Sequence, residues 1–352
     1  MKRYHCIPLA ALLMLGGNSC KKEYVTNEYV TKNEYITNVY ESDYYSTILN
    51  SQQEITMDVR PDYLQKGDTV AVCAASNAVS ENDIADGIST LKSWGLNVVL
   101  ADNIYESDGR YAGSIAQRIE GLQKMLDNPN VKAIFMARGG YGASHILNYL
   151  DLKVMQSNPK WVIGYSDVTA LHIALNNLGV ETIHGPMMVG FTKDKESLDG
   201  LKNALFGKGY EKVSIASNKN CVKGTAEGRL VGGNLSLIYS EGGTLFDLNV
   251  KGAILFIEDT GEANYAIDRM LTNLKLSGKL DAIRGVVVGE FTKCSQGNDK
   301  SIEEIMKDNL GDLKIPVMYG LSSGHDTKNL PLYLGRTVKL SVDDKNATLT
   351  FK

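Results

Sequence analysis

Cysteine is scarce in this 352-residue chain, with five residues, at 6, 20, 73, 221 and 294, and no C-x-x-C spacing among them. Cys6 and Cys20 fall in an N-terminal leader. The odd, scattered remainder argues against both a disulfide framework and a zinc site. Cys73, Cys221 and Cys294 read instead as small buried hydrophobes. Basic excess is also missing: 37 Lys and Arg against 41 Asp and Glu leave a formal charge of -4. No Lys/Arg stripe is present, so the footprint of a nucleic-acid binder is absent. G-x-x-x-x-G-K-[ST] does not occur, and the glycine-rich ARGGYG (137–142) lacks the G-x-G-x-x-G spacing. A phosphate-cradling reading of that stretch is therefore weak. Nothing in the sequence implies a metal or an organic cofactor.

What is present is ordinary for a globular protein, 43% hydrophobic and 22% charged, at a length that favours two domains. The leader MKRYHCIPLAALLMLGGNSC has Lys2 and Arg3, an apolar run Ile7–Leu15 too short to span a membrane, and small residues before Cys20. That is the anatomy of a signal peptide. A terminal cysteine suggests a bacterial lipoprotein in which Cys20 is lipidated, although Gly17-Asn18-Ser19 lacks the usual aliphatic residue. The expectation is an exported protein facing the periplasm or cell surface, touching a membrane through its lipid anchor only. Residues 21–60 repeat a Glu-Tyr-aliphatic-Thr unit at Tyr24, Tyr29 and Tyr35 with irregular spacing, and read as a tether.

Residues 61–190 alternate strand and helix patterns. TVAVCAAS precedes SENDIADGISTLKSWG, in which Ser80 and Asp83 fit a capping box. LNVVLAD, VKAIFMAR and WVIGYS are further strands; SIAQRIEGLQKMLDN, GASHILNYLD and DVTALHIALNNLG are further helices. This order implies parallel βαβ units, whose ligands bind beyond the carboxyl ends of the strands. ARGGYG and GYSD (164–167) both lie there. Residues 191–222 read as a loop-rich linker. Residues 223–352 read as a second, smaller domain, mixed α/β or barrel-like, with strands KGAILFIED, RGVVVGEF, RTVKLSV and NATLTFK.

Ser166 sits where a strand turns into a helix, after Gly164, which would permit a tight bend. Taken alone, it reads as a helix cap; the other reading is a nucleophile. A serine nucleophile needs a base and a group to orient that base. Of the five histidines, His5 is in the leader, His145 reads as packing, and His172 falls on the far side of the helix from Ser166. His325, in the polar loop GLSSGHDTKNLPLYLG, leads as base, with His184 second. Glu258, Asp259 and Glu262 end an apolar strand, and each alone reads more simply as complementing the next helix N-terminus.

ARGGYG, GYSDVTALH, LFIEDTGE…IDRML and SSGHDTKNLPLYLG, in that order, resemble the LD-carboxypeptidase family of serine peptidases, which includes the microcin-C immunity peptidases. The likeness covers about residues 65 to 350. It implies a Rossmann-like first domain carrying the nucleophile Ser166, and a second domain carrying the acid Glu258 and the base His325. It implies no cofactor and a homodimer. Candidate oxyanion donors are the backbone N–H groups of Asp167 and of the glycines of RGGYG, Gly140 first, and Arg138 is a candidate partner for a substrate carboxylate. The family's carboxypeptidase branch implies release of the terminal D-alanine from murein tetrapeptides, usually in the cytoplasm, from which an export signal departs. Alternatives are cleavage of a peptidyl-nucleotide amide, as in the microcin branch, and a non-catalytic exported ligand-binding lipoprotein.

Overall fold

The computed structural model describes residues 53–352. The leader, Cys20 and most of the tether lie outside the described residues. Two sheets organise the rest. The first contains β1 (Thr69–Cys73), β2 (Asn97–Leu100), β3 (Val131–Met136), β4 (Trp161–Gly164) and β5 (Thr182–His184), all parallel. Helices α1 (Glu81–Ser93), α2 (Ile115–Asp127) and α3 (Thr169–Asn177) return the chain between strands. The near-continuous burial of β1, β3 and β4 is what a parallel sheet covered on both faces requires. The expected cap at Ser80 is there in part, with the Asp83 carboxylate accepting from Ser80 N and Oγ at 2.7 Å each.

Strand order is β11-β5-β4-β3-β1-β2, where β11 (Leu332–Leu334) comes from far along the chain and runs antiparallel to β5. From β1 the chain goes outward to β2 and then returns to β3 on the other side of β1. The loops after β1 and β3 therefore diverge, opening the crevice in which ligands of such sheets bind. Ser76 and Asn77 lie on one side of that crevice, and Arg138–Gly142 on the other.

The second sheet has the order β10-β9-β8-β7-β12-β13-β6. Its strands are β6 (Lys212–Ala216), β7 (Gly224–Asn234), β8 (Ile254–Thr260), β9 (Gly285–Thr292), β10 (Val317–Tyr319), β12 (Thr337–Val342) and β13 (Asn346–Phe351). β7 to β10 are parallel, and β6, β12 and β13 add an antiparallel half. This is a mixed sheet with helices, not a barrel. One hydrophobic cluster joins both sheets, from Ile163 and Ile183 through Leu332 and Tyr333 to Phe256, Val287 and Leu340. α3 is buried on every side between them, its polar Thr169, His172 and Asn176 each making a hydrogen bond.

Two local expectations need correction. GASHILNYLD forms two single 3-10 turns, Ala143–His145 and Leu147–Tyr149. Side chains claim the backbone groups that a first α-turn would use: Arg118 Nη1 donates to Gly142 O, and Ala143 N donates to Asp167. Residues 191–222 are not mainly loop. They hold an amphipathic helix, Lys195–Leu205, capped by Asp194 accepting from Ser197 N at 2.7 Å, and then β6. At the other end of the first domain, Val59 bridges to Val180, so the end of the tether lies on the body.

Candidate active site

The four residues of β4 are buried, Tyr165 continues extended, and Ser166 then takes φ +61°. Among the described residues only Lys293 and Lys314 share a positive φ without being glycine. Holding a serine there costs on the order of 1 kcal/mol or more. The strain turns the chain within one residue into the 3-10 turn Ser166–Val168 and then α3. Ser166 caps neither turn nor helix, which corrects the simpler reading of this position. Gly164 is not the bend either. A Cβ there would lie 2.8 Å from Val168 Cγ2, so glycine gives room for the returning helix.

Gly139, one of the RGGYG glycines, packs directly on the serine: its Cβ would stand 3.0 Å from Ser166 Cβ and 3.2 Å from Oγ. Gly140 faces the side chain of Asn77 instead, with φ +111°. The N–H groups of Gly139 and Gly140 donate to no protein group among the described residues. Asp167 N lies 3.4 Å from the same Cβ position on Gly139. Arg138 is half-buried on this loop, its one side-chain hydrogen bond among the described residues a long one to Ala78 O at 3.4 Å.

The candidate acids lie on and just after β8, whose first six residues are all buried. Its three carboxylates separate by environment. Asp259 is fully used in tying β8 to the chain just after β7, accepting from Asn234 Nδ2 at 2.9 Å, Ser236 Oγ at 2.7 Å and the backbone N–H groups of Ser236 and Thr260. Glu262 is half-exposed and meets only Ser236 Oγ, at 3.3 Å. Glu258 is wholly buried, and its Oε2 lies 2.6 Å from His325 Nδ1. Burial raises the Glu258 pKa and the histidine pulls it back. A proton on Nδ1 facing the carboxylate leaves Nε2 as the acceptor. Asn329 shapes the loop that delivers the histidine, accepting from Gly324 N at 3.0 Å.

Tyr165 brings the two halves together. Its ring meets His325 edge-on, with centroids 4.9 Å apart, one residue before Ser166. The Ser166 hydroxyl makes no hydrogen bond among the described residues; such contacts often tighten only when substrate binds.

The remaining histidines have other places. His184 is buried between Tyr165 and Phe256, and burial pushes its pKa well down, with His172 and His325 adding to the effect and Asn329 opposing it. His172 bonds Gly164 O at 2.9 Å, and burial lowers it to about 4. His145 lies 3.1 Å from the Tyr141 hydroxyl. Cys73 is buried and inert, whereas Cys221 and Cys294 are partly exposed. Among the described residues, no group of three or more His, Cys, Asp or Glu side chains could hold a metal ion, and no helix is long and apolar enough to cross a membrane.

The profile of the LD-carboxypeptidase N-terminal domain matches residues 70–185, and that of the C-terminal domain matches residues 227–340. The chain belongs to the LD-carboxypeptidase family. It is similar to a probable murein peptide carboxypeptidase of Bacillus subtilis, 32% identical over 84% of this chain and 95% of that protein. Among solved structures, the muramoyltetrapeptide carboxypeptidase of Oxalobacter formigenes superposes with a TM-score of 0.72 at 27% identity, over 80% of this chain and 98% of that one. The self-immunity protein MccF, solved with glutamyl sulfamoyl guanosine, superposes with a TM-score of 0.76 at 24% identity, over 84% of this chain and 99% of its own. This LD-carboxypeptidase relative is thus a peptidase by family. In it the first-domain profile contains Ser166, and the second contains Glu258 and His325.

Proposed function

We propose that this protein is an exported serine carboxypeptidase that cuts an L,D-amide bond, releasing the terminal D-alanine of murein tetrapeptides. The observation that carries the reading is the buried Glu258–His325 pair beside a serine held at positive φ. A ligand-binding protein gains nothing from a strained serine or from a buried carboxylate on a histidine. In the proposed cycle Ser166 Oγ attacks the scissile carbonyl while His325 Nε2 takes its proton. Glu258 holds the imidazole tautomer and stabilises its cation. Asp167 N–H and a glycine N–H of the 139–140 pair receive the oxyanion, a donor of this kind being worth about 3–4 kcal/mol. His325 then protonates the departing D-alanine amine, and water, activated by the same histidine, releases the acyl group. Arg138 is proposed to meet the carboxylate of the terminal residue.

Murein as substrate rests on the names of the Bacillus subtilis and Oxalobacter formigenes relatives. Lipid anchoring at Cys20 and a homodimer belong to the same proposal, testable by labelling with a radioactive fatty acid and by light scattering. Incubation of a form lacking residues 1–20 with L-Ala-γ-D-Glu-diaminopimelate-D-Ala tests the activity. Mass spectrometry should record loss of one alanine. An unchanged tetrapeptide, with a peptidyl-nucleotide cleaved in parallel, would replace this reading by the MccF-like one.

A further inference from the structure

The two loops that border the serine diverge at the strand-order reversal, and backbone pairing does little to hold them. The last ladder-like bond is Ala137 N to Cys73 O at 2.8 Å, and beyond it Asn77 N reaches Gly139 O at only 3.3 Å. Two buried, oppositely charged side chains tie the same two segments together. Arg118, 1% exposed, donates from Nη1 to Ala75 O at 2.9 Å and to Gly142 O at 2.8 Å. Asp167 is fully buried, and its Oδ2 accepts from Ser76 Oγ at 2.5 Å and from Ala143 N at 2.8 Å. One residue after β1 and one at the end of the 138–143 loop are thus held by the cation, and their direct neighbours by the anion. Gly142 is part of the fit, because a Cβ there would lie 2.7 Å from Arg118 Nη1. The guanidinium also lies 4.9 Å from the Tyr111 ring centroid.

We infer that Asp167 and Arg118 are positioning residues that clamp the 138–143 loop against the nucleophile's own turn and so fix the oxyanion amides beside Ser166. Asp167 has a double place in this arrangement. Its backbone N–H is one proposed oxyanion donor, and its side chain anchors the loop that carries the other. One residue therefore sets the spacing between the two donors. Buried charges of this kind are often replaceable by apolar groups without loss of stability, so geometry is the better account of them here. The inference rests on Ser166 being the nucleophile and is independent of which peptide is cut.

The test uses the full-length protein, the variants Asp167→Asn and Ser76→Ala, and an alkyl fluorophosphonate that carries no peptide. In the reaction Ser166 Oγ bonds to phosphorus as the P–F bond breaks. Fluoride leaves, and the hydroxyl proton passes to His325. Intact-mass spectrometry gives the second-order rate, and because no murein is involved, failure of the substrate assignment leaves this readout in place. The expected slowing is roughly 100-fold for Asp167→Asn, the scale of a lost oxyanion donor, and about 10-fold for Ser76→Ala, which removes one of two anchors. The midpoint of the pH dependence of labelling should match the parent's in both, which general loosening of the fold would not allow. A folded Asp167→Asn protein labelled within about twofold of the parent rate would overturn the clamp, as would a parental rate in Ser76→Ala.

Discussion

Gly139→Ala is the sharpest perturbation the site offers. The φ of Gly139 is not positive, so alanine brings no backbone strain there. Its methyl would stand 3.0 Å from Ser166 Cβ, 3.2 Å from Oγ and 3.4 Å from Asp167 N. The first two distances are shorter than ordinary carbon contacts of 3.5–4.0 Å, so the serine or the loop must give way by a few tenths of an ångström. The fold can absorb that at about 1–2 kcal/mol, in the range of mild overpacking. Catalysis by the proposed route cannot, because the methyl occupies the space beside Ser166 and one proposed oxyanion donor. Displacement on this scale together with a blocked donor costs about 100-fold or more in kcat. Alanine release from the tetrapeptide, followed by mass spectrometry with a thermal melt alongside, gives both numbers. A variant that folds and keeps activity within about threefold of the parent would refute the assignment of this surface as the oxyanion side.

Further outcomes follow from burial and charge. Glu258→Gln should lower kcat by roughly 10³–10⁴-fold, by loss of the imidazolium's partner and the correct tautomer. Its thermal stability should be equal or higher, since burial opposes the charged carboxylate; a large fall in stability would contradict this. Acid sensitivity has a defined sign. His172 is held neutral down to about 4 against about 6.5 in the unfolded chain, so between those values only the unfolded chain takes the proton, and stability falls with pH. The loss amounts to about 3 kcal/mol at its lower end, and His184 adds in the same direction. Urea midpoints at pH 7.5 and 5 should record it, and a protein more stable at pH 5 would disprove it. Glu181→Ala strands Arg336, whose Nη2 and Nε lie 2.6 and 2.9 Å from the lost carboxylate, and leaves Arg60 with Lys352 O and Asp58. The expected cost is about 3–5 kcal/mol, read by denaturant titration; a loss under about 1 kcal/mol would mean that the pair is dispensable.

Much of the fold follows from local pattern. Continuous apolar runs at β1, β3, β4 and β8 announce buried parallel strands, and the helix at Glu81–Ser93 is announced by its cap. The linker was misjudged because Lys, Asp and Ser dominate 193–199, while the apolar stripe that makes it a helix is carried by Leu198, Leu201 and Leu205. β11 escaped because three residues, Leu332–Leu334, join a sheet built more than 140 positions earlier, and pairing at that distance leaves no local signal. Within the candidate site, the polar, glycine-rich loop of His325 draws attention to that residue from sequence. Local pattern alone does not choose among Glu258, Asp259 and Glu262; the family resemblance singles out Glu258, and in the structure the three differ in burial and partners. The backbone state of Ser166 was beyond reach for a similar reason: a cap and a strained turn share one sequence, and tertiary packing decides between them. Sequence marks Gly139 only as one glycine of RGGYG and gives no signal for Tyr165, because the place of each is defined by what it touches.

The central claim is that Ser166 attacks the amide and that Glu258 and His325 make it able to do so. The most direct test is to denature a reaction with the tetrapeptide in acid during turnover and measure the intact protein mass, for the parent and for Ser166→Ala. The account predicts a parent adduct equal to the tetrapeptide less its terminal alanine, mapped by fragmentation to Ser166, and neither adduct nor alanine release from the folded variant. Full turnover by Ser166→Ala, or an acyl group carried on another residue, would contradict it.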